Sequence, residues 1–461
     1  MARRERIAAV DTAWLRMDRP TNLMMITGVL VFAAPVSYER LCQVVNDRMA
    51  VRQRFRQRVI READTAYWEE DPWFHVTRHV HRVALPGGAD RAGLQAYAGE
   101  LQSTAPDPLR PLWHFHLVED YNGGSALVIR MHHCYADGLA LVRVLLALTD
   151  LAPDGPPAMS RETAGKSDAW MPGWLRFGMR WSRGAAEEAW ALARSPMRVL
   201  GYARTGMKFA SEVTRLTTLS DDPPTHLRGE PGVEKRLAWA EPLPLSEART
   251  LAHVMHCSIN DVLLAAVTGA LRSYLLQRGD QLEGLGIRAV VPVNLRSEDS
   301  QGELGNHFGL VFLELPVGTA HPLERLFELR RRMRDLRSSV EPVFSYGLLQ
   351  AAGMSPTLVQ EEIVDLLSRK ASMVITNVPG PRQALYMAGA EIREILFWVP
   401  QSGDIGLGIS ILSYNERVYF GLAADTRLVP DPDDVVRRFR REFEELVTCT
   451  LLTADWERRG V

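Results

Sequence analysis

Cysteine is scarce in this chain: four in 461 residues (Cys42, Cys134, Cys257 and Cys449), scattered and without CxxC spacing. That excludes a disulfide scaffold and reads as reduced thiols in a cytosolic protein. Long apolar runs are missing too. No uncharged apolar stretch reaches the roughly 18 residues of a spanning helix. Met-Ala-Arg-Arg-Glu-Arg at the start lacks the apolar core of a signal peptide. Net charge is only −2, which gives no overall field for nucleic acid, and no nucleic-acid motif is present. No G-x-S-x-G elbow supplies a serine nucleophile. No His/Cys/Asp set has metal-ligand spacing, so neither a metal nor a resident cofactor is expected.

What is there has the balance of a folded protein, 46% apolar and 24% charged. The length points to two or three domains at roughly 150 residues each. A first region, residues 1–160, holds strand-like runs at Thr27–Phe32, Trp113–Glu119 and Ser125–Met131. A last region, residues 233–461, holds Ile287–Val293, Leu310–Leu315, Ser372–Thr376, Gly406–Ser413 and Arg417–Ala424. Helical periodicity covers Ser246–His256, Asn260–Gln277 and Asp433–Val447, the second opening on a Ser258–Asp261 capping box. Mixed order, with a hairpin-like pair around Asn415-Glu416, predicts a mixed α/β (α+β) fold rather than a doubly wound one.

The stretch between them, residues 161–232, differs in kind. From Trp170 to Leu216 it carries eight Arg/Lys against three Glu, a local +5 that leaves −7 for the remainder. Trp170, Trp174, Phe177 and Trp181 share one face of a helix, with Arg176, Arg180 and Arg183 opposite. Rings backed by cations suit a membrane or lipid-droplet surface. A connector packing its aromatics on a domain surface fits the same pattern.

The most informative string is Met131-His-His-Cys-Tyr-Ala-Asp-Gly-Leu139, an H-H-x-x-x-D-G motif between a strand-like and a helix-like run. An imidazole on such a loop is held from one side and open on the other, where a general base belongs. The plain readings stand beside it. One histidine is a packing residue, and Asp137 is the N-cap of the next helix.

Further strings lie in order along the chain: Pro111-Leu-Trp113, Asn260-Asp-Val-Leu-Leu-Ala265, Pro292-Val-Asn-Leu-Arg296, Gly305-Asn306, Thr376-Asn-Val-Pro-Gly-Pro381, Gly406-Leu-Gly408 and Ala424-Asp425. With the histidines, from Asp11-Thr-Ala-Trp-Leu15 to Val429-Pro430-Asp431, they resemble the bacterial wax ester synthase/acyl-CoA:diacylglycerol acyltransferase family. The H-H-x-x-x-D-G string is shared with the wider superfamily of chloramphenicol acetyltransferase and condensation domains. The resemblance implies two chloramphenicol acetyltransferase-like domains meeting over a tunnel, with His133 midway. It implies long-chain acyl-CoA as co-substrate and a fatty alcohol or diacylglycerol as acceptor. The expected place is the cytoplasm, attached peripherally to the inner face of the membrane or to lipid droplets. The residues after Gly138 (Leu-Ala-Leu-Val) are bulkier than is common in the family, which puts acceptor size in doubt.

On this reading His133 takes the alcohol proton and returns it to the departing thiolate. His132 orients the loop, and Gly138 leaves room beside the base. Asp137 braces the loop by pairing with an arginine, for which Arg296 is the candidate. Asn260 either holds the acyl carbonyl or oxyanion or simply starts its helix. Pro111, Leu112 and Trp113 shape the tunnel wall. Cys134 adjoins the base, but its side chain is expected to point away. Two rivals remain open: a same-fold condensation-type enzyme that uses a carrier-bound acyl donor or a small-molecule acceptor, and a lipid-binding scaffold without catalysis.

Overall fold

Eight consecutive buried residues, Met25–Phe32, make the strand around which the first sheet grows. A computed structural model describes residues 4–62, 65–85, 89–135, 137–155, 158, 218–295, 306–337 and 341–459. The Trp170–Leu216 stretch and Arg296 lie outside them. In chain order the first half gives β1 (Glu5–Arg6), α1 (Ala9–Arg16), β2 (Met25–Phe32), α2 (Tyr38–Val44), β3 (Gln57–Glu62), β4 (Thr65–Glu70), β5 (Val80–Val83), α3 (Arg91–Ser103), β6 (Trp113–Tyr121), β7 (Gly124–His132) and α4 (Gly138–Leu148). The second half gives β8 (Lys235–Trp239), β9 (Leu243–Pro244), α5 (Leu245–Val254), α6 (Ile259–Arg278), β10 (Ile287–Asn294), β11 (Phe308–Leu315), α7 (Pro322–Arg337), α8 (Glu341–Met354) and α9 (Thr357–Ser368). It continues with β12 (Met373–Pro379), β13 (Tyr386–Met387), β14 (Ala390–Trp398), β15 (Leu407–Tyr414), β16 (Arg417–Asp425) and α10 (Pro432–Arg459).

The first sheet runs β13-β14-β2-β7-β6-β5, and the second runs β11-β10-β12-β15-β16-β8, with β9 beside β16. The strand expectations fall within these strands to one or two residues at each end, except β12, which runs on to Pro379. Central β2 and β7 are buried on both faces, which is why they read as mostly apolar runs rather than alternating ones. One face meets Leu141, Val144 and Leu145 of α4. The other meets α3, where Thr27 donates to Gln102. Three tight hairpins among the described residues use left-handed residues: Asn122-Gly123 between β6 and β7, Ala388-Gly389 between β13 and β14, and Asn415-Glu416 between β15 and β16. The second sheet is covered by α6 and α10, with Phe420 stacked on Phe439 at 3.9 Å. Among the described residues α6 alone is long and apolar enough to cross a membrane, and it is mostly buried in this core.

The halves are not separate in space. β14, from the second half, pairs antiparallel with β2 from Ile392↔Phe32 to Trp398↔Thr27. Gly28 permits this, since a Cβ there would collide with the Phe397 ring. Two tyrosines of the second sheet pin the visitor: Tyr414 Oη donates to the Ile392 carbonyl (2.8 Å) and Tyr419 Oη to that of Arg393 (2.7 Å). In return α1 packs on α8, so closely that a Cβ at Gly353 would strike the Ala9 carbonyl. A division at residue 233 therefore cuts across the first sheet.

Candidate active site

β7 ends on His132, and its register with the neighbouring backbone fixes the turn beyond it. The His132 N–H donates to the Leu112 carbonyl (2.9 Å), and the His133 N–H donates to that of Met24 (2.7 Å). The two imidazoles then diverge. The Cys134 N–H donates to His132 Nδ1 (3.1 Å), so the His132 proton sits on Nε2 and donates to Asp18 Oδ2 (3.1 Å). His132 is thus spent on holding the turn. The Cys134 thiol is buried, and burial together with Asp11 and Asp18 pushes its pKa well above the ordinary value. Both influences act against its becoming a thiolate nucleophile.

The His133 ring lies 3% exposed between two aromatics: Trp14 stacks on it at 4.1 Å and 25°, and Phe308 sits tilted at 5.7 Å. Nδ1 is buried without a hydrogen-bond partner among the described residues, and the ring lines the cavity. Burial lowers the pKa to about 4, against the opposing pull of Asp137. His133 is therefore neutral, an acceptor of protons, at physiological pH.

Asp137 combines its plain reading with a second one. Oδ1 caps α4 by accepting from the Ala140 N–H (2.9 Å), and Oδ2 accepts from the His307 N–H (3.0 Å). Gly138 is the first residue of that helix. The residue before His307 completes a clamp: Asn306 Nδ2 donates to the His133 carbonyl (2.9 Å) and to Asp11 Oδ1 (2.7 Å). The second half thus grips both ends of the His133–Asp137 loop. Burial raises the Asp11 pKa to about 6, and the Asn306 hydrogen bond is the strongest influence in the other direction.

His133, Asp137 and Trp14 face a cavity of about 650 Å³. Its walls come from β10, β11, β12 and helices α5, α6 and α7, through side chains such as Leu263, Val290, Leu313, Met333 and Val374. Asn260, on the first turn of α6, lines it too. Its Oδ1 accepts from Asn377 Nδ2 (2.5 Å), so its own amide N–H groups point elsewhere. Asp261 does serve the capping box, with Ser258 Oγ accepting from its N–H and Oδ2 accepting from the Ser258 N–H.

Pro111, Leu112 and Trp113 are not among the described residues lining the cavity. They lie under the loop: Leu112 takes the His132 N–H, its own N–H donates to Tyr135 Oη (3.1 Å), and Trp113 Nε1 donates to the Phe55 carbonyl (2.8 Å). A buried Trp reads the same in sequence whether it walls a tunnel or props a loop. Sequence alone assigns no role to Trp14, Asp11, Asn306 or Asn377, although each sits inside one of the strings that carry the resemblance. Among the described residues no cluster of His, Cys, Asp or Glu has the makings of a metal site.

Known proteins resemble this chain in sequence and in fold. The family described as wax ester synthase/diacylglycerol acyltransferase catalytic domain matches residues 7–263, and the WS/DGAT C-terminal domain matches residues 304–447. A probable diacylglycerol O-acyltransferase of Mycobacterium tuberculosis strain H37Rv is 28% identical over 98% of both chains, and a similarly named protein of Mycobacterium bovis gives the same values. The wax ester synthase/diacylglycerol acyltransferase of Marinobacter aquaeolei VT8 superposes with a TM-score of 0.69 at 20% identity, covering 96% of this chain and 99% of that one. The first condensation domain of the calcium-dependent antibiotic synthetase superposes at 0.61 and 14%, covering 97% and 96%. These likenesses agree in fold with a mixed sheet in two chloramphenicol acetyltransferase-like parts.

Proposed function

The chain belongs to the wax ester synthase/diacylglycerol acyltransferase family, and from that premise we infer how its residues move an acyl group from acyl-CoA to a fatty alcohol or diacylglycerol. One observation carries the reading: a neutral imidazole, fixed on a clamped loop, opens onto a large apolar cavity. The alcohol O–H proton passes to His133 Nε2 as the oxygen bonds to the thioester carbonyl carbon. The tetrahedral oxyanion then collapses, the C–S bond breaks, and the imidazolium returns the proton to the thiolate. Base assistance of this kind contributes roughly 10²–10⁴-fold.

Direct transfer with both substrates bound fits the residues, since the neighbouring Cys134 is buried and held protonated. Asn260, its carbonyl occupied by Asn377, has its amide N–H groups available for the acyl carbonyl and the oxyanion that replaces it. The apolar walls suit a long acyl chain, each buried methylene contributing about 0.8 kcal/mol. Two exposed arginines on the cavity lining, Arg249 and Arg382, suit the phosphates of CoA. The aromatic-cationic stretch Trp170–Leu216 supports peripheral attachment to a membrane or lipid droplet from the cytoplasmic side. Deleting Trp170–Trp181 then moves protein from the liposome pellet to the supernatant, and unchanged pelleting overturns attachment through this stretch.

The deciding experiment supplies palmitoyl-CoA with hexadecanol or dipalmitoylglycerol and follows CoA release and ester products. The wild-type chain forms ester, and folded His133→Ala loses it by about 10² or more. Ester formation that survives in His133→Ala removes the histidine from the mechanism. No ester from either acceptor moves the reading to a carrier-bound donor.

A further inference from the structure

His133 must become a cation during turnover, and its surroundings resist that. The ring is buried, and its pKa sits low for that reason. Among the described residues, the charged and titratable groups around it are Asp137, His132 and, at one remove, Asp11. Asp137, from the start of α4, favours the cation, but its oxygens already serve the Ala140 and His307 N–H groups. His132, on β7, opposes the cation and is tied to Asp18. Asp11, on α1, is hydrogen-bonded to Asn306, which also donates to the His133 carbonyl.

Of the two aromatic rings described against it, the indole of Trp14 is the nearer, stacked face to face at 4.1 Å. A π face attracts a cation, most strongly when water is excluded. Nothing about Trp14 is left loose. α1 is fixed at Ala13, whose carbonyl accepts from Gln360 Nε2 (2.8 Å), and at Arg16, which donates to the Ser355 carbonyl (2.7 Å). The indole Nε1 is buried without a hydrogen-bond partner, a cost that phenylalanine at this position would not incur. Trp14 also fills a small apolar cluster with Val10, Met17 and Phe308, but that packing does not call for an unpaired indole N–H.

We propose that Trp14 is a positioning residue for acyl transfer, its π face orienting the His133 ring and stabilising the imidazolium formed between the two proton transfers. This rests on the reading of His133 as general base. The contact strengthens as charge develops, so it acts on kcat and leaves KM nearly alone.

Fluorotryptophan labelling tests it without changing shape, because ring fluorines drain the π face progressively. Wild-type protein is made with unlabelled, 5-fluoro- and more highly fluorinated tryptophan, and Trp14→Phe, which keeps a ring in place, is labelled in parallel. The Phe background controls for the other ten of the eleven tryptophans. Wild-type kcat falls stepwise to about one-tenth while KM for palmitoyl-CoA stays within about twofold. Trp14→Phe works at about a third of the wild-type rate and does not respond to labelling beyond about twofold. Circular dichroism establishes that every sample is folded. A wild-type kcat indifferent to fluorine, an equal response in Trp14→Phe, or a folded but inactive Trp14→Phe each overturns the proposal. His133→Ala run alongside separates the two ideas: ester formation there defeats the base itself, whereas its loss with a flat fluorine series defeats only the role of Trp14.

Discussion

Replacing Asn306 by alanine removes two buried hydrogen bonds at once. The bond to Asp11 is charge-assisted and worth about 1.5–3 kcal/mol, and the one to the His133 carbonyl about 0.5–1.5 kcal/mol, so the loss at pH 8 is about 2–4 kcal/mol. The loss depends on pH in a definite direction. Burial raises the Asp11 pKa from 3.8 to about 6. The folded chain therefore holds this proton longer than the unfolded chain, and stability falls as pH rises through that interval. Asn306 is the main group lowering the Asp11 pKa, so its removal moves that pKa higher still. The variant then goes on losing stability above pH 6, where the wild-type contribution has levelled off. At pH 5 Asp11 is protonated in both folded proteins, and the deficit shrinks to about 1–2 kcal/mol. With roughly 1–2 °C per kcal/mol in a chain of this size, the melting temperature drops by about 3–6 °C at pH 8 and by about half that at pH 5. Thermal melts followed by circular dichroism at both pH values measure this. A drop of equal size at pH 5 and pH 8 would refute the reasoning, because it would mean that no ionised Asp11 faces the amide.

Three further outcomes rest on the same geometry. Asp137→Ala loses the α4 cap and strands the His307 N–H, for about 2–4 kcal/mol of stability and reduced kcat, whereas Asp137→Ser recovers the cap alone; urea titration of both variants checks the order. Asn377→Ala frees the Asn260 amide to rotate and lowers kcat about tenfold, with KM for acyl-CoA within about twofold, in steady-state assays. Val374→Trp fills part of the cavity, so preference among acyl-CoA substrates moves to shorter chains, each displaced methylene weakening palmitoyl binding by roughly fourfold.

How much of the fold and site is legible in the sequence varies with range. The strands of both sheets show in local composition, because alternation and burial are written into eight or nine residues at a time. The Ser258–Asp261 box and the Asn415-Glu416 turn are equally local. The exchange of β14 is not. Ala390–Trp398 carries ordinary strand composition, and nothing in it names a partner some 360 residues away, at Thr27–Phe32. The Asn306 clamp escapes for the same reason: a Gly-Asn pair reads as a turn, and only the fold brings that amide between Asp11 and the His133 carbonyl. His133 itself is legible because its chemistry needs a compact string, whereas the wall expected of Pro111, Leu112 and Trp113 is built by other residues.

The exchange of β14 for α1 laces the halves together. A hinge that opened the cavity like a jaw would have to strip a backbone ladder from β2 and pull α1 from beneath α8. The interior is therefore better thought of as the eye of a needle than as a clamp.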